Sequence, residues 1–170
     1  MDVTEAALAS APRFELLSVL PRSLEGWLLE FQWDVERLWR LNLPTVSLQV
    51  ADLTWHLLLP WWRKDELVFQ VSPMDVWHRP FDHPEHASRT EACDLSYPIA
   101  VTWQFDRWLI LDGIHRLLKA CLLALPTVDA RILSKSDLVK IARKFPRPFE
   151  QTTDQGLRDM ATDRHRQATS

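Results

Sequence analysis

Cysteine, glycine and any surplus of positive charge are what this 170-residue chain has little of. The two cysteines, Cys93 and Cys121, stand at unrelated spacing, which argues against a disulfide framework or a metal site. Cys121 falls in an apolar helical run and Cys93 beside Ala92 and Leu95, so both read as small buried hydrophobes. Lysine and arginine number 20 against 23 acidic residues, a formal net charge of -3. Proteins that live on nucleic acid usually carry a basic surface. Broad binding to DNA or RNA is therefore not expected, although net charge leaves a local basic patch open. No apolar run approaches the roughly 18 residues of a membrane span, and no signal peptide opens the sequence. The expectation is a reduced, soluble, cytoplasmic protein without membrane contact. No internal repeat is evident.

What is present is enough for one domain with a real core: the hydrophobic fraction is 46%. Nine tryptophans stand beside only three glycines. Several of the indoles cluster, at Trp27, Trp33 and Trp39 and again at Trp55, Trp61 and Trp62. Such rings fill a core or wall a pocket, where a flat ring stacks on a base or caps a small substrate.

Along the chain, residues 1–12 are weakly patterned and read as a flexible N-terminus. Residues 13–44 read as a helical extension, broken at Pro21, with Ser23 as a candidate N-cap and Gly26 inside. Val35, Leu38, Trp39 and Leu41 fall roughly on one face, and Pro44 ends the segment. Residues 45–50 alternate as a strand. The run 52–63 reads as loop or short helix leading into a pocket wall, and 67–71 as a short strand. Ser72 and Pro73 sit at N-cap and N1 of a helix, and a second helix is expected over 84–93. Strands at 98–103 and 108–111 are joined by a turn at Asp106 and Arg107, the second apolar enough to be buried on both faces. A helix over 113–124 packs Leu117, Leu118, Cys121 and Leu122 inward. A strand at 127–133 and a helix at 136–143 complete the domain, 45–144, and 145–170 reads as a flexible tail. His78, Asp82, His83 and His86 invite a metal reading. Pro84 disturbs the first turn, and no cysteine or distant carboxylate joins them, so they read as a solvated polar loop.

One segment carries chemistry. At residues 108–120 an apolar strand ends, turns at Gly113 and feeds a helix. The first N–H groups of a helix lack intrahelical partners and carry partial positive charge, so a phosphate fits there. Gly113 admits close backbone approach, His115 and Arg116 add donors, and Lys119 lies one turn on, within reach. The plainer alternative is that Asp112 caps the helix and Arg116 sits in solvent.

The run Pro98-Ile-Ala-Val, then Trp108-Leu-Ile-Leu-Asp-Gly-Ile-His-Arg-Leu-Leu-Lys-Ala120, then 127–133, resembles the core of the ParB/sulfiredoxin superfamily. The resemblance covers 98–133 well and 45–135 loosely; the Trp-rich segment before residue 44 has no recognised counterpart. It implies an α+β fold, a ParB/sulfiredoxin-like mixed sheet with flanking helices, here with a helical N-terminal extension. It also implies a nucleotide (ATP, ADP or CTP) with Mg2+, its phosphates held at Gly113, His115 and Arg116; with Ile114 in the same turn and Lys119 one turn on, these five are the candidate cofactor-binding residues. Asp52 and His56 lie where the family's active-site loop begins, and Asp112 is placed to hold Mg2+ or orient His115; these three are the candidate catalytic residues. Simple turn chemistry for Asp52 and pocket lining for His56 remain open. Sulfiredoxins need a cysteine between Gly and His, where this chain has Ile114, so sulfinic acid reduction is not expected. Partition proteins carry a helix-turn-helix region and a dimerisation domain after this core, for which 170 residues leave no room.

Two functions follow from the resemblance. One is phosphoryl transfer from ATP or ADP to a small hydroxyl-bearing metabolite, as in free serine kinases of this fold. The other is a non-catalytic or CTPase-type switch that docks a protein partner through Trp27, Trp33 and Trp39, unless that region folds back over the core. A nuclease would need a metal cluster and a basic groove, and neither is visible.

Overall fold

The computed structural model describes residues 3–9 and 19–143; the expected tail at 145–170 lies outside the described residues, as do 10–18. In chain order the elements are α1 (Val3–Ala9), α2 (Val35–Arg40), β1 (Thr45–Gln49), β2 (Trp62–Lys64), β3 (Leu67–Val71), α3 (Pro73–His78), α4 (Pro84–Ala92), β4 (Ile99–Gln104), β5 (Arg107–Asp112), α5 (Ile114–Leu122), β6 (Thr127–Leu133) and α6 (Lys135–Ile141). The α+β class expected from the sequence is present. Four strands form a mixed sheet in the order β1-β6-β4-β5, and β2 with β3 forms a separate hairpin. Strands β4 and β6 run parallel, and the other pairs are antiparallel. Among the described residues no helix is long and apolar enough to cross a membrane.

Local chemistry accounts for most boundaries. The β4–β5 hairpin turns at Phe105 and Asp106, with φ of 53° and 57°. Two positive φ values give the turn the twist that adjoining strands need. The turn falls one residue before the expected site because Arg107 pairs with Gln104. Ser72 accepts the Asp75 N–H (3.1 Å) while the Asp75 carboxylate accepts the Ser72 N–H (2.9 Å), a reciprocal cap with Pro73 in the first turn. Ser134 and Asp137 start α6 in the same way.

Strand β5 is buried on both faces, as its composition suggests, with Leu109, Ile110 and Leu111 all under 9% exposed. Ile110 joins a core with Leu117 and Leu118 of α5. Leu109 and Leu111 join a second core with Leu138 and Ile141 of α6 and Leu38 of α2. Helix α5 ends at Leu122, which is 49% exposed instead of packed inward, and Cys121 is half-buried.

The described part of the segment expected as a helical extension, residues 19–44, is mostly not helical. Pro21 leads into one 3-10 turn (Arg22–Leu24), and Gly26 takes a left-handed φ of 74°. Residues 32–34 then run extended against the end of α6: Trp33 pairs with Ala142, Asp34 N–H donates to Ile141 O, and Arg143 N–H donates to Gln32 O. These backbone bonds hold extended chain where periodicity alone suggests helix. Among the described residues there only α2 is α-helical, capped by Asp34. At the other end, residues expected to fray form α1, which lies against α6 with Glu5 3.5 Å from Lys135.

Strand β5 is also an edge strand, so its outward amides need acceptors. His56 supplies one. It is completely buried, its Nε2 accepts the Ile110 N–H (2.9 Å) and its Nδ1–H donates to Leu53 O (2.9 Å). The Trp55 ring lies 3.8 Å from it, and the Trp61 indole N–H donates to the His56 carbonyl (2.7 Å). Burial, with the nearby Arg107 charge, lowers its pKa from 6.5 to about 4 against the opposing Leu53 bond. Both ring nitrogens are committed and none faces solvent, so the expected catalytic role for His56 is corrected to a structural brace.

The consequence is measurable. His56→Ala should lose about 1–3 kcal/mol in denaturant unfolding, because it strands a buried amide donor. Between pH 6.5 and about 4 the unfolded chain takes up a proton that folded His56 refuses. Stability of the parent should therefore fall with falling pH across that window, by up to about 1.4 kcal/mol per pH unit from this imidazole. A His56→Ala variant with unchanged stability would refute the brace.

Candidate functional site

A cavity of about 780 Å3 opens where β5 ends and α5 begins. That volume lies within the range of small-molecule and cofactor sites. Its floor is the turn singled out from the sequence: Asp112, Gly113, Ile114, His115 and Arg116 all line it. Gly113 is the N-cap of α5, with φ of 111° and no side-chain cap. The helix starts with its first amides unserved by a side chain, which is the arrangement that favours an anion.

The glycine serves a neighbour as much as a ligand. A Cβ at 113 would lie 2.9 Å from Arg116 NH2, 3.1 Å from its Nε and 3.1 Å from Ile99 Cγ1. The guanidinium therefore lies back over the turn, and its NH2 donates to Asp112 Oδ2 (2.9 Å). The same oxygen accepts the Trp39 indole N–H (3.1 Å). Asp112 thus orients Arg116 and Trp39, where His115 was the expected partner; nor does it cap the helix. Arg116 is only 19% exposed, so it does not sit in solvent.

Two arginines join Arg116 from distant parts of the chain: Arg89 of α4 and Arg131 of β6. Arg131 belongs to an inner strand, flanked by Thr45 of β1 and Ala100 of β4. A charged residue in an inner strand is the signal that would have marked it from sequence. The Nε atoms of Arg116 and Arg131 are both buried without a hydrogen-bond partner. Among the described residues Asp112 is the one carboxylate lining this cavity, so cationic donors outnumber the anionic acceptor there.

His115 lies flat on the Trp62 indole, with centroids 4.2 Å apart and planes within 12°. His86 lies on the same indole, at 4.6 Å and 9°. The two imidazoles are joined by a 3.3 Å contact between His86 Nδ1 and His115 Nε2. His86 Nε2 contacts Arg63 O at 3.1 Å. A carbonyl only accepts, so His86 carries its proton on Nε2. In the neutral pair His86 Nδ1 is then the acceptor, His115 donates from Nε2, and His115 Nδ1 keeps its lone pair. That Nδ1 has no hydrogen-bond partner among the described residues. Burial first, then the charges of Arg89, His86 and Arg116, lowers the His115 pKa from 6.5 to about 4, while Asp112 opposes the shift.

His86, expected from the sequence in a solvated loop, is 6% exposed. It shares the inward face of α4 with buried Thr90, four residues on, and that spacing was the available signal. Lys119 does not reach the turn. Its ammonium donates to Glu91 O (2.7 Å) and Cys93 O (2.6 Å), closing the C-terminal end of α4. Asp52 is exposed on a 3-10 turn (Val50–Asp52) and lines no part of the cavity. Cys93 does line it, but its thiol donates to Thr90 O and burial raises its pKa, which disfavours a thiolate.

The donors do not form a Mg2+ cage. Asp112 Oδ2 is shared by two donors, and among the described residues no group of three or more His, Cys, Asp or Glu could hold a metal ion. Of the Trp-rich extension, Trp27 packs on Trp55 and Phe105 under the Arg107 guanidinium, Trp33 packs against the second core, and Trp39 borders the cavity. Residues 24–41 therefore fold back over the core. No family model, curated protein or solved structure matches the chain.

The tautomer chain is open to direct reading. Long-range 1H–15N spectra at pH 7 should show His115 protonated on Nε2 and bare on Nδ1. Its titration should be displaced well below 6.5, toward about 4. A His115 protonated on Nδ1, or charged at pH 7, would break the relay.

Proposed function

We propose that this protein is a nucleotide-binding domain of ParB/sulfiredoxin type that transfers a phosphoryl group from ATP or ADP to a small hydroxyl-bearing metabolite. The observation that carries the reading is the uncapped start of α5 facing Arg89, Arg116 and Arg131 across one cavity, with two guanidinium Nε atoms lacking partners. Buried donors left unpaired are costly, and phosphate oxygens would satisfy them. Arg116 can receive a phosphate without surrendering Asp112, because one NH2 bond leaves the rest of its five donors available. The Gly-Ile-His-Arg turn and the strand order of its resemblance to the superfamily support the same assignment.

In the proposed reaction the acceptor hydroxyl oxygen forms a new bond to the terminal phosphorus while the bridging oxygen bond to the nucleotide breaks. The hydroxyl proton passes to His115 Nδ1, and the shortened nucleotide leaves with its own charge. Such transfers depend mainly on positioning and charge stabilisation, which the arginines supply. His115 takes the place of Asp52 and His56 as the cavity-lining group with a lone pair left to accept the proton. Mg2+ accompanying the nucleotide would be ligated by phosphates and water, with Asp112 offering at most its Oδ1, since Oδ2 is already engaged.

The engagement of Asp112 also favours a second reading. Among the described residues Asp112 is the one carboxylate lining the cavity, and with its Oδ2 held by Arg116 and Trp39 the domain would bind CTP or another nucleotide as a switch and transfer nothing.

Calorimetry against ATP, ADP and CTP tests the binding. Arg116→Ala and Arg131→Ala should each weaken it by about 1.5–3 kcal/mol, the worth of a charged hydrogen bond. Absence of binding across that panel would remove the phosphate reading. Incubation with nucleotide, Mg2+ and pooled hydroxyl metabolites should yield phosphorylated product; tight binding with no product in any pool would select the switch.

A further inference from the structure

We infer that Trp39 of α2 is the stacking platform for the nucleobase, which makes the segment before the α+β core part of the ligand site. This inference rests on the nucleotide reading above and adds where the base lies and what holds it.

The phosphate end of the cavity is the Gly113 turn. A phosphate chain alone needs much less than about 780 Å3. Beside the turn stand Trp39 and Tyr97, 61% and 66% exposed, which come from α2 and from the loop between α4 and β4. Other exposed aromatics, among them Phe81 and Trp103, lie outside this cavity. The Trp39 ring is also tethered. Its indole N–H is bound to the Asp112 oxygen that holds Arg116, so the edge of the ring is anchored at the phosphate-binding arginine. The adjoining Leu38 side chain is buried in the second core and fixes the helix beneath it. An anchored indole with an uncovered face, continuous with an anion-binding turn, suits a ligand that is flat at one end and anionic at the other. A nucleoside polyphosphate has that shape. Stacking accepts any base, because each presents a π face, so this platform confers affinity for the nucleoside and little choice among bases.

The test separates the ring from its hydrogen bond and the base from the phosphates. ATP, CTP and inorganic tripolyphosphate are titrated calorimetrically into the parent, Trp39→Phe and Trp39→Leu. Both variants lose the bond to Asp112, but only Phe keeps an aromatic face. Trp39→Leu should bind ATP and CTP about 10- to 100-fold more weakly than Trp39→Phe, the range expected for one stacked base. Tripolyphosphate should bind the two variants equally. If the Phe and Leu variants are indistinguishable for ATP and CTP while tripolyphosphate still binds, the platform is refuted and the phosphate site stands. If the parent binds none of the three probes, both readings fail together.

Discussion

An edge strand buried on both faces has to find partners for backbone amides that no neighbouring strand reaches. Strand β5 is in that position, and the buried imidazole of His56 resolves it at Ile110. The site depends on the outcome, because β5 delivers Asp112 and Gly113 to the cavity and passes directly into α5. The brace reaches across 54 positions of sequence and is itself enclosed by Trp55 and Trp61. Part of the tryptophan richness is thereby explained. Indoles shield the imidazole from water, and the Trp27 and Trp55 rings receive the Arg107 guanidinium at 4.1 and 5.0 Å.

At the end of that strand one carboxylate sets the geometry of the cavity. Asp112 accepts from Arg116 four residues on and from Trp39 73 residues back. The pair with Arg116 is largely shielded from solvent, so it is worth more than a surface ion pair and holds the guanidinium in one orientation. Gly113 makes this possible by offering no Cβ where the guanidinium lies. A substitution there would meet two obstacles, the positive φ and the occupied space.

What could be read in the sequence was local. The caps at Ser72, the strand alternation and the apolar run of β5 announce themselves within a few residues, since backbone satisfaction and burial have short periods. The turn at 112–116 was legible for the same reason. Functional partnership was not, because it joins residues that the chain keeps far apart. His86 meets His115 across 29 positions, and Arg131 arrives through strand pairing. His56 and Lys119 were misread in the opposite sense. A histidine and a lysine near a suspected site have the chemistry for catalysis or phosphate binding, but backbone groups had prior claim on them. The region before residue 44 failed for a third reason: its apolar spacing fits a helix, but the end of α6 offers it backbone bonds that hold it extended.

The charge balance around His115 links these pieces. Burial, Arg89, His86 and Arg116 all act against a proton on this ring, and Asp112 favours it. An imidazole held so far below 6.5 is a poor proton acceptor at neutral pH, since a useful base titrates near the working pH. In the reaction proposed above, a polyphosphate seated against the same arginines would counter part of that field. Its negative charge would offset the guanidinium groups and act to raise the His115 pKa, while burial, the largest cause of the depression, would remain. His86, fixed by the Arg63 carbonyl, keeps the lone pair on His115 Nδ1. On that reading occupancy and proton affinity would be coupled through the arginines.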